Sequence, residues 1–389
     1  MKQDFFYREE AFMARKSTLI MLFALAAVFG NANAAEPDQP MFTLSGFGSL
    51  GLSHSNESLG DYVLDSGIPK GPGLSENWSV DNDTRIAAHL AANFSPKLSA
   101  VIQADSEYHN GNTYQPEVEF ADIKYAFLPN AFIRAGRLAL PTFLEAENRD
   151  VGYSYPWIHP PLEVYRQEPI THFDGVDATY RLQTGEVGNS IKIVYGKTTI
   201  DSNDFPSGEL SSRHLWGIFD TVEYGPTTIH AGYQKREDTS QYLEATESIA
   251  TVSNSDLSLG VIYDPGDWFV MSEWIRHNSI YKVGAMYISA GYRVNKFTPY
   301  LTYSQNSQGS FLPEFQPPRS YLVQLANRSQ STVSLGVRWD FMKNTDLKLQ
   351  LDEVKLSDNS NGFLANVPAD VNLYGTSFHV ISAVADFVF

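Results

Sequence analysis

From Phe42 to the last residue, Phe389, apolar side chains recur at every second position, and the breaks between these runs alternate in kind. Short breaks at Ser95-Pro96-Lys97, Leu128-Pro129-Asn130, Gly225-Pro226, Asp264-Pro265-Gly266 and Lys343-Asn344 are interleaved with longer polar segments around 55–77, 201–213, 238–255, 305–330 and 358–374. Period two is the mark of a strand whose two faces meet different surroundings, and no stretch after residue 35 sustains a helical period. A chain that turns tightly at one end of its strands and loosely at the other is an antiparallel meander. The 21 Tyr, 24 Phe and 27 Gly favour strands and tight bends in the same direction.

About sixteen strands can be laid out. Their apolar face runs through Leu44/Leu50/Leu52, Ile86/Leu90, Leu98/Ile102, Ile123/Tyr125/Phe127, Ile133, Val176/Tyr180, Ile191/Ile193/Tyr195 and Leu215/Gly217/Phe219. It continues through Ile229/Tyr233, Leu257/Leu259/Val261, Trp268/Trp274, Met286/Ile288, Leu301/Tyr303, Val333/Leu335/Trp339, Leu347/Leu349/Leu351 and Ile381/Ala383/Phe387. The opposite face carries Arg85, Gln103, Asp105, Asp122, Lys124, Arg134, Asp177, Arg181, Lys192, Gln234, Arg236, Arg338, Asp340, Lys348 and Asp386, so a polar interior is expected. Alternation alone also fits a soluble sandwich. Aromatic residues decide against it, because Phe94, Phe127 with Phe132, Tyr224, Tyr263 with Trp268, Tyr292 with Phe297, and Phe341 flank the short turns. Rings at strand ends match the girdles of membrane barrels, and a closed barrel is the sheet that leaves no unpaired edge in lipid.

The N-terminus fits export. Leu19 to Phe29 is an eleven-residue apolar run preceded by Arg15 and Lys16 and followed by Ala32-Asn33-Ala34, the pattern of a cleaved signal peptide over residues 1–34. Met13 precedes the basic pair, so residues 1–12 read as an upstream start artefact, and 35–389 as a single barrel domain. Removing 1–34 leaves 24 basic and 42 acidic side chains, a net charge of −18. That balance argues against nucleic acid as a partner. Cysteine is absent, which is compatible with an exported compartment and excludes thiolate metal sites.

The last strand, Thr376 to Phe389, alternates and ends on an aromatic residue; its Phe387 and Phe389 resemble the assembly signal of outer-membrane barrels. The segment from Pro141 to Phe173 is the third long loop. Arg134 to Phe143, leading through Glu145, Glu147, Arg149 and Asp150 to Trp157, resembles the corresponding region of Gram-negative porins of the general-diffusion, sixteen-stranded kind. That resemblance implies an outer-membrane barrel with its third loop folded into the lumen. It also implies passive diffusion of small hydrophilic solutes and ions, a homotrimer, and contacts with the barrel assembly machinery, membrane lipid and lipopolysaccharide. Loop acids Glu145, Glu147, Asp150 and Glu163 facing wall bases Arg85, Lys124, Arg134, Arg181 and Lys192 would set up a transverse field across a constriction. The bland alternative is that the acids pair with Arg149 and Arg166 and hold the loop's shape. Tyr153, Tyr155 and Trp157 are read as packing the loop against the wall, with a sugar-stacking slide as the other option.

Other motifs carry little. Gly46-Phe47-Gly48-Ser49-Leu50-Gly51 matches a dinucleotide fingerprint but sits in a strand with no helix behind it; its glycines are read as allowing curvature or close backbone approach. His54, His89, His109, His159, His172 and His379 lack metal-ligand spacing, and Asp81-Asn82-Asp83 reads as a solvated loop cluster rather than a divalent-cation site. No catalytic residue, metal or cofactor is expected. The alternatives to a diffusion channel are a substrate-selective channel for anions, dicarboxylates or sugars, and, from another class, a barrel adhesin or outer-membrane enzyme.

Overall fold

The computed structural model describes residues 40–109, 113–201, 209–241, 249–311 and 327–389; the leader expected at 1–34 lies outside them. Seventeen strands form one sheet: β1 (Phe42–Ser55), β2 (Trp78–Ser79), β3 (Arg85–Ser95), β4 (Leu98–Glu107), β5 (Glu117–Leu128), β6 (Ala131–Ala139), β7 (His172–Thr184), β8 (Val187–Asp201) and β9 (Glu209–Tyr224). They continue as β10 (Thr227–Gln241), β11 (Ile249–Tyr263), β12 (Trp268–Asn278), β13 (Tyr281–Tyr292), β14 (Phe297–Phe311), β15 (Gln330–Met342), β16 (Thr345–Leu356) and β17 (Ser377–Val388). β2 is a two-residue strand of the first long loop, paired to Ser53 and His54. The other sixteen run antiparallel to their neighbours, and β17 returns to β1, from Phe47 opposite Val388 to Ser55 opposite Val380. The sheet is therefore a closed sixteen-stranded barrel without an edge.

Alternation in the sequence becomes two faces. Leu50, Ile86, Ile123, Ile193, Leu301, Leu335 and Ile381 are exposed on the outside, while Ser49, Gln103, Gln234, Lys348 and Asp386 are buried inside. A continuous apolar outer surface of this extent is stable in lipid, not in water. At the short-turn end Phe94, Phe127, Tyr224, Tyr263, Trp268, Tyr292, Phe297 and Phe341 are exposed as a girdle. Tyr263 and Trp268 lie 5.2 Å apart across their turn, and Phe297 stacks on Trp339 at 5.8 Å.

Three expectations need correction. Phe132 does not join the girdle: its ring faces inward, with Lys124 4.2 Å and Arg181 5.4 Å from its centroid. On β9 the outward residues are Trp216 and Ile218, whereas Leu215 and Phe219 are buried inside. Here both alternate sets are apolar, so period two cannot choose between them. The phase is set by an irregularity at His214, which has a positive φ of 50°, where pairing with β10 and β8 shifts register. Nor is the interior uniformly polar. Leu215 and Phe219 pack on Leu138, Leu140, Ile170 and Phe173, where the chain leaves β6 and enters β7. On the far wall Phe269, Met271, Ile275 and Tyr287 receive Phe143, Trp157 and Tyr165. A loop lying inside a barrel needs apolar contacts to be ordered, and those contacts put apolar residues on the inner face.

The closing seam explains the first-strand glycines. Phe389 and Gly46 exchange both backbone hydrogen bonds at 3.0 Å. A Cβ built on Gly46 would lie 2.3 Å from the Phe389 ring, and one on Gly48 would lie 2.5 Å from the Phe387 ring. The two terminal rings thus lie on two outward glycines, which leave room for side chains where a Cβ would collide.

Candidate functional site

Residues 140–171, between β6 and β7, cross the lumen. Five prolines (Pro141, Pro156, Pro160, Pro161 and Pro169) remove donors a strand would need, and regular structure shrinks to one 3-10 turn at Gly152–Ser154 and one helical turn at Leu162–Tyr165. Anchors to the inner wall replace it. Thr142 Oγ1 donates to Gln234 (3.0 Å), and the Leu144 amide and the Tyr165 hydroxyl both donate to Glu273 (2.8 and 2.6 Å). Lys348 donates to the Gly152 and Trp157 carbonyls (2.6 and 2.7 Å), and the Trp157 indole donates to Ser289 (2.9 Å). Gly152 sits where a Cβ would strike the Asp386 carboxylate at 2.2 Å, so the loop passes against β17 by virtue of that glycine.

The four loop acids occupy three different settings. Glu147 pairs with Lys192 and lies 3.6 Å from Arg134, and these cations hold its carboxyl down to about 2. Asp150 accepts from Arg85 at 2.5 Å. Glu145 is enclosed beside Tyr165 and Glu273, where burial pushes its carboxyl up to about 7, with the Glu273 charge adding to the rise. Glu163, 1% exposed, accepts from Ser304, Gln330 and Thr332 at 2.5 to 2.6 Å. Among the described residues none of the four is paired with Arg149. Arg166 donates to the backbone carbonyls of Val63 and Phe363.

Of the wall bases, Arg85, Arg134 and Lys192 meet the loop, and Arg134 also holds Asp177 at 2.5 Å. Lys124 and Arg181 stand nearer the short turns, on either side of Phe132. Trp157 and Tyr155 are buried against the wall, and Tyr153 lies under Arg338 with its ring centroid 4.6 Å from the guanidinium.

Two parts of the site are not legible in the sequence. One is a cap over the β16–β17 side, in which the first long loop pairs with the last: Asp61 and Ala365 exchange backbone hydrogen bonds (2.8 and 2.9 Å), and Tyr62, Val63 and Leu64 pack with Phe363, Leu373 and Phe378. The other is the return anchor, where Arg236 faces Glu168 (2.5 Å), Asp238 (3.1 Å) and Asp256 (2.9 Å), and His277 touches Asp256 at 2.6 Å. Glu168 and Arg236 are 68 residues apart in the chain, and no local pattern joins them.

What remains is a polar cavity of about 600 Å³ on the long-loop side, bounded by β3, β4 and β5, by Arg149, Asp150 and His159 of the crossing loop, and by Arg236 and His277. Its lining carries ten carboxylates against six guanidinium groups. On β5 the loop is held by Thr171 Oγ1, which donates to Glu119 (3.0 Å). That stretch of wall lies between the Arg85–Asp150 pair on one side and the Glu147 pairs on the other. Among the described residues no group of three His, Asp or Glu side chains is placed to hold a metal, and Asp81 instead accepts from Tyr114 at 2.7 Å.

Comparison with known proteins gives one consistent picture. Residues 165–359 match a family model described as Gram-negative porin. No curated protein matches the sequence. Among solved structures, the chain resembles the outer-membrane channel DcaP of Acinetobacter baumannii (TM-score 0.57, 13% identity, covering 92% of this chain and 99% of that one). It also resembles a loop-deleted OmpT, an outer-membrane protein of Vibrio cholerae (0.56, 11%, 90% and 100%). A third likeness is to an anion-selective porin from Comamonas acidovorans (0.55, 12%, 90% and 99%).

Proposed function

The chain belongs to the Gram-negative porin family, and from that premise we propose that its lumen is a diffusion channel for small hydrophilic solutes whose narrowest passage runs along β4 and β5. Its place is the outer membrane, reached through a cleaved leader, and its assembled state is a homotrimer, as in the form in which one Vibrio cholerae relative is described. Chemistry at the site is recognition and passage, not catalysis.

One observation carries the reading of the passage. The loop acids that could face the stream, Glu147 and Asp150, are in contact with Lys192, Arg134 and Arg85. These pairs act as two posts that hold the loop off β4 and β5. The passage between them has Asp105 and Glu119 on the wall and Arg149 on the loop, all lining the same cavity. The transverse field is then opposite in sense to the one expected from residue types: acid on the wall, cation on the loop. Glu145 and Glu163 take no part, because both are enclosed. Lys124 and Arg181 form a second, basic station below the loop.

With acids in excess in the vestibule, weak preference for cations follows, stronger at low salt because bulk ions screen fixed charge over about 10 Å at 0.1 M. The Comamonas relative is described as anion-selective, and its likeness to this chain is one of fold. Single-channel recording in a planar bilayer tests the proposal. The expected result is an ohmic conductance with a reversal potential on the cation side, which Arg149→Gln moves further toward cations and Glu119→Gln moves back. Absence of conductance overturns the channel, and an unmoved reversal potential in both variants overturns this passage.

A further inference from the structure

The inner wall changes character around the long-loop end of the barrel. On β3, β4 and β5 it presents Arg85, Asp105 and Glu117 to the cavity. On β16 and β17 it turns apolar, with Val354, Leu356, Phe378 and Val380 all buried. Apolar side chains at a water-filled mouth need a cover, and the clasp between the first and last long loops supplies it by packing Tyr62, Val63, Phe363 and Leu373 over them.

The clasp is built as one piece. Asp61 and Ala365 form a one-rung antiparallel bridge, and the Asp61 carboxylate, fully buried, ties the two loops a second time. It accepts from the amide and hydroxyl of Ser75 in its own loop (2.7 and 2.6 Å) and from Asn366 Nδ2 in the other (2.6 Å). Asn366 also donates to the Pro69 carbonyl at 2.9 Å and holds a φ of 57°, a left-handed conformation in which Asn is favoured among residues with a Cβ. Gly60 lets the last loop come close: a Cβ there would lie 2.8 Å from Val367 Cγ2. The crossing loop takes part from below. Arg166 Nη1 donates to one carbonyl of each loop, Val63 at 2.9 Å and Phe363 at 3.1 Å, and its guanidinium stands 4.9 Å from the centroid of the Phe363 ring.

The edge of the clasp is also a wall of the entry, because Leu64, Asp65 and Gly67 of the first loop and Phe363 of the last line the same cavity as β3, β4 and β5. We propose that the clasp is a fixed lid that sets a size limit for solutes at the outer mouth, a sieve in series with the passage along β4 and β5, with Arg166 as the pin that holds it to the crossing loop. The proposal rests on the channel reading. A lid held by a buried carboxylate with three donors, and by apolar packing beneath it, does not yield to a passing solute: lifting it would strand those groups in contact with water or without partners. Small solutes pass its edge and bulky ones are turned back.

The chain has no cysteine, so Asp61→Cys combined with Ala365→Cys introduces the only thiols. Hydrogen-bonded antiparallel pairs stand about 5.5 Å apart at Cα, within reach of a disulfide. Oxidised, the double variant has its lid tied down; reduced, it lacks the Asp61 carboxylate and the lid is loosened. Swelling of liposomes carrying the folded porin gives uptake rates for arabinose and for the bulkier raffinose. The oxidised form is expected to match the parent, and the reduced form to admit raffinose several-fold faster relative to arabinose, with a higher single-channel conductance. Arg166→Ala, which leaves Asp61 in place, should move the raffinose-to-arabinose ratio the same way and keeps the test decisive should the thiol variant fail to fold by its unheated gel mobility. An unmoved ratio in the reduced form and in Arg166→Ala overturns the proposal. So does a folded double variant that stays reduced under oxidant, because its two loops then do not meet. Arabinose uptake by the parent reports the channel itself: its absence sinks the porin reading, whereas arabinose uptake with an unmoved ratio sinks the lid alone.

Discussion

Gly48→Ala is the sharpest probe of how the barrel closes. The added methyl would sit 2.5 Å from Cζ and 2.8 Å from Cε1 of Phe387, and 3.1 Å from the Arg85 carbonyl. The ring is the hard contact and the backbone the softer one, so the ring must leave its place on β1. Overpacking of this kind costs about 1–3 kcal/mol. Gly46→Ala differs in kind: its methyl would lie 2.3 Å from the Phe389 ring and also 2.5 Å from the Ala87 carbonyl, which is fixed by the β1–β3 ladder. Gly48→Ala should therefore be rescued by Phe387→Ala, and Gly46→Ala should not be rescued fully by Phe389→Ala. The assay is refolding from urea into detergent micelles, which avoids the cell's assembly machinery, with folded barrel scored by its unheated gel mobility. The double variant at Gly48 and Phe387 should be more stable than the sum of the single effects predicts, by about 1–2 kcal/mol in the coupling term. Strict additivity at that pair would refute the argument that the ring-on-glycine contact is the seam's constraint.

Further predictions concern the loop. Glu147→Gln removes the carboxylate shared by Lys192 and Arg134 and should free the loop on its β6–β8 side, seen as larger current noise and higher conductance in single-channel traces. Unchanged traces would remove Glu147 from the set of posts. Glu163→Ala leaves the buried Ser304, Gln330 and Thr332 donors without their acceptor and should destabilise the barrel by about 3 kcal/mol, read as faster heat denaturation. Burial raises the Glu145 carboxyl to about 7 and that of Glu168 to about 8, from an ordinary value of 4.5. The folded chain then binds more protons than the unfolded one from pH 4.5 upward, so stability from these groups is fully present below that pH and is lost as pH rises through 7 and 8. Heat denaturation should accordingly be faster at pH 8 than at pH 5, and Glu145→Gln should shrink that difference by up to about 3 kcal/mol; an undiminished difference would assign the effect elsewhere.

The alternating pattern by itself determined the class of fold, because a period of two combined with alternating tight and long breaks has few closed solutions, and because aromatic residues at the tight turns separate lipid from water as the outer medium. Sixteen strands, a lipid-facing row through Leu50, Ile123, Leu301 and Leu335, and a last strand returning to the first were all legible. The break in the strand pattern between β6 and β7 was legible too, since prolines and mixed charge cannot continue a strand.

What only the tertiary structure decided are the matters settled by residues far apart in sequence. On β9 both alternate sets are apolar, and the choice fell to the returning loop and an irregularity at His214. The partners of the loop acids are of this kind: Asp150 finds Arg85 at a separation of 65 residues, and Glu163 finds Thr332 at 169. Asp61 meeting Ala365 across the mouth is of the same kind. A strand's alternation is local, imposed by the geometry of its own backbone, and so it is written in the sequence. The partner of a charge is chosen by which wall the loop reaches, and that is known only once the barrel has closed around it.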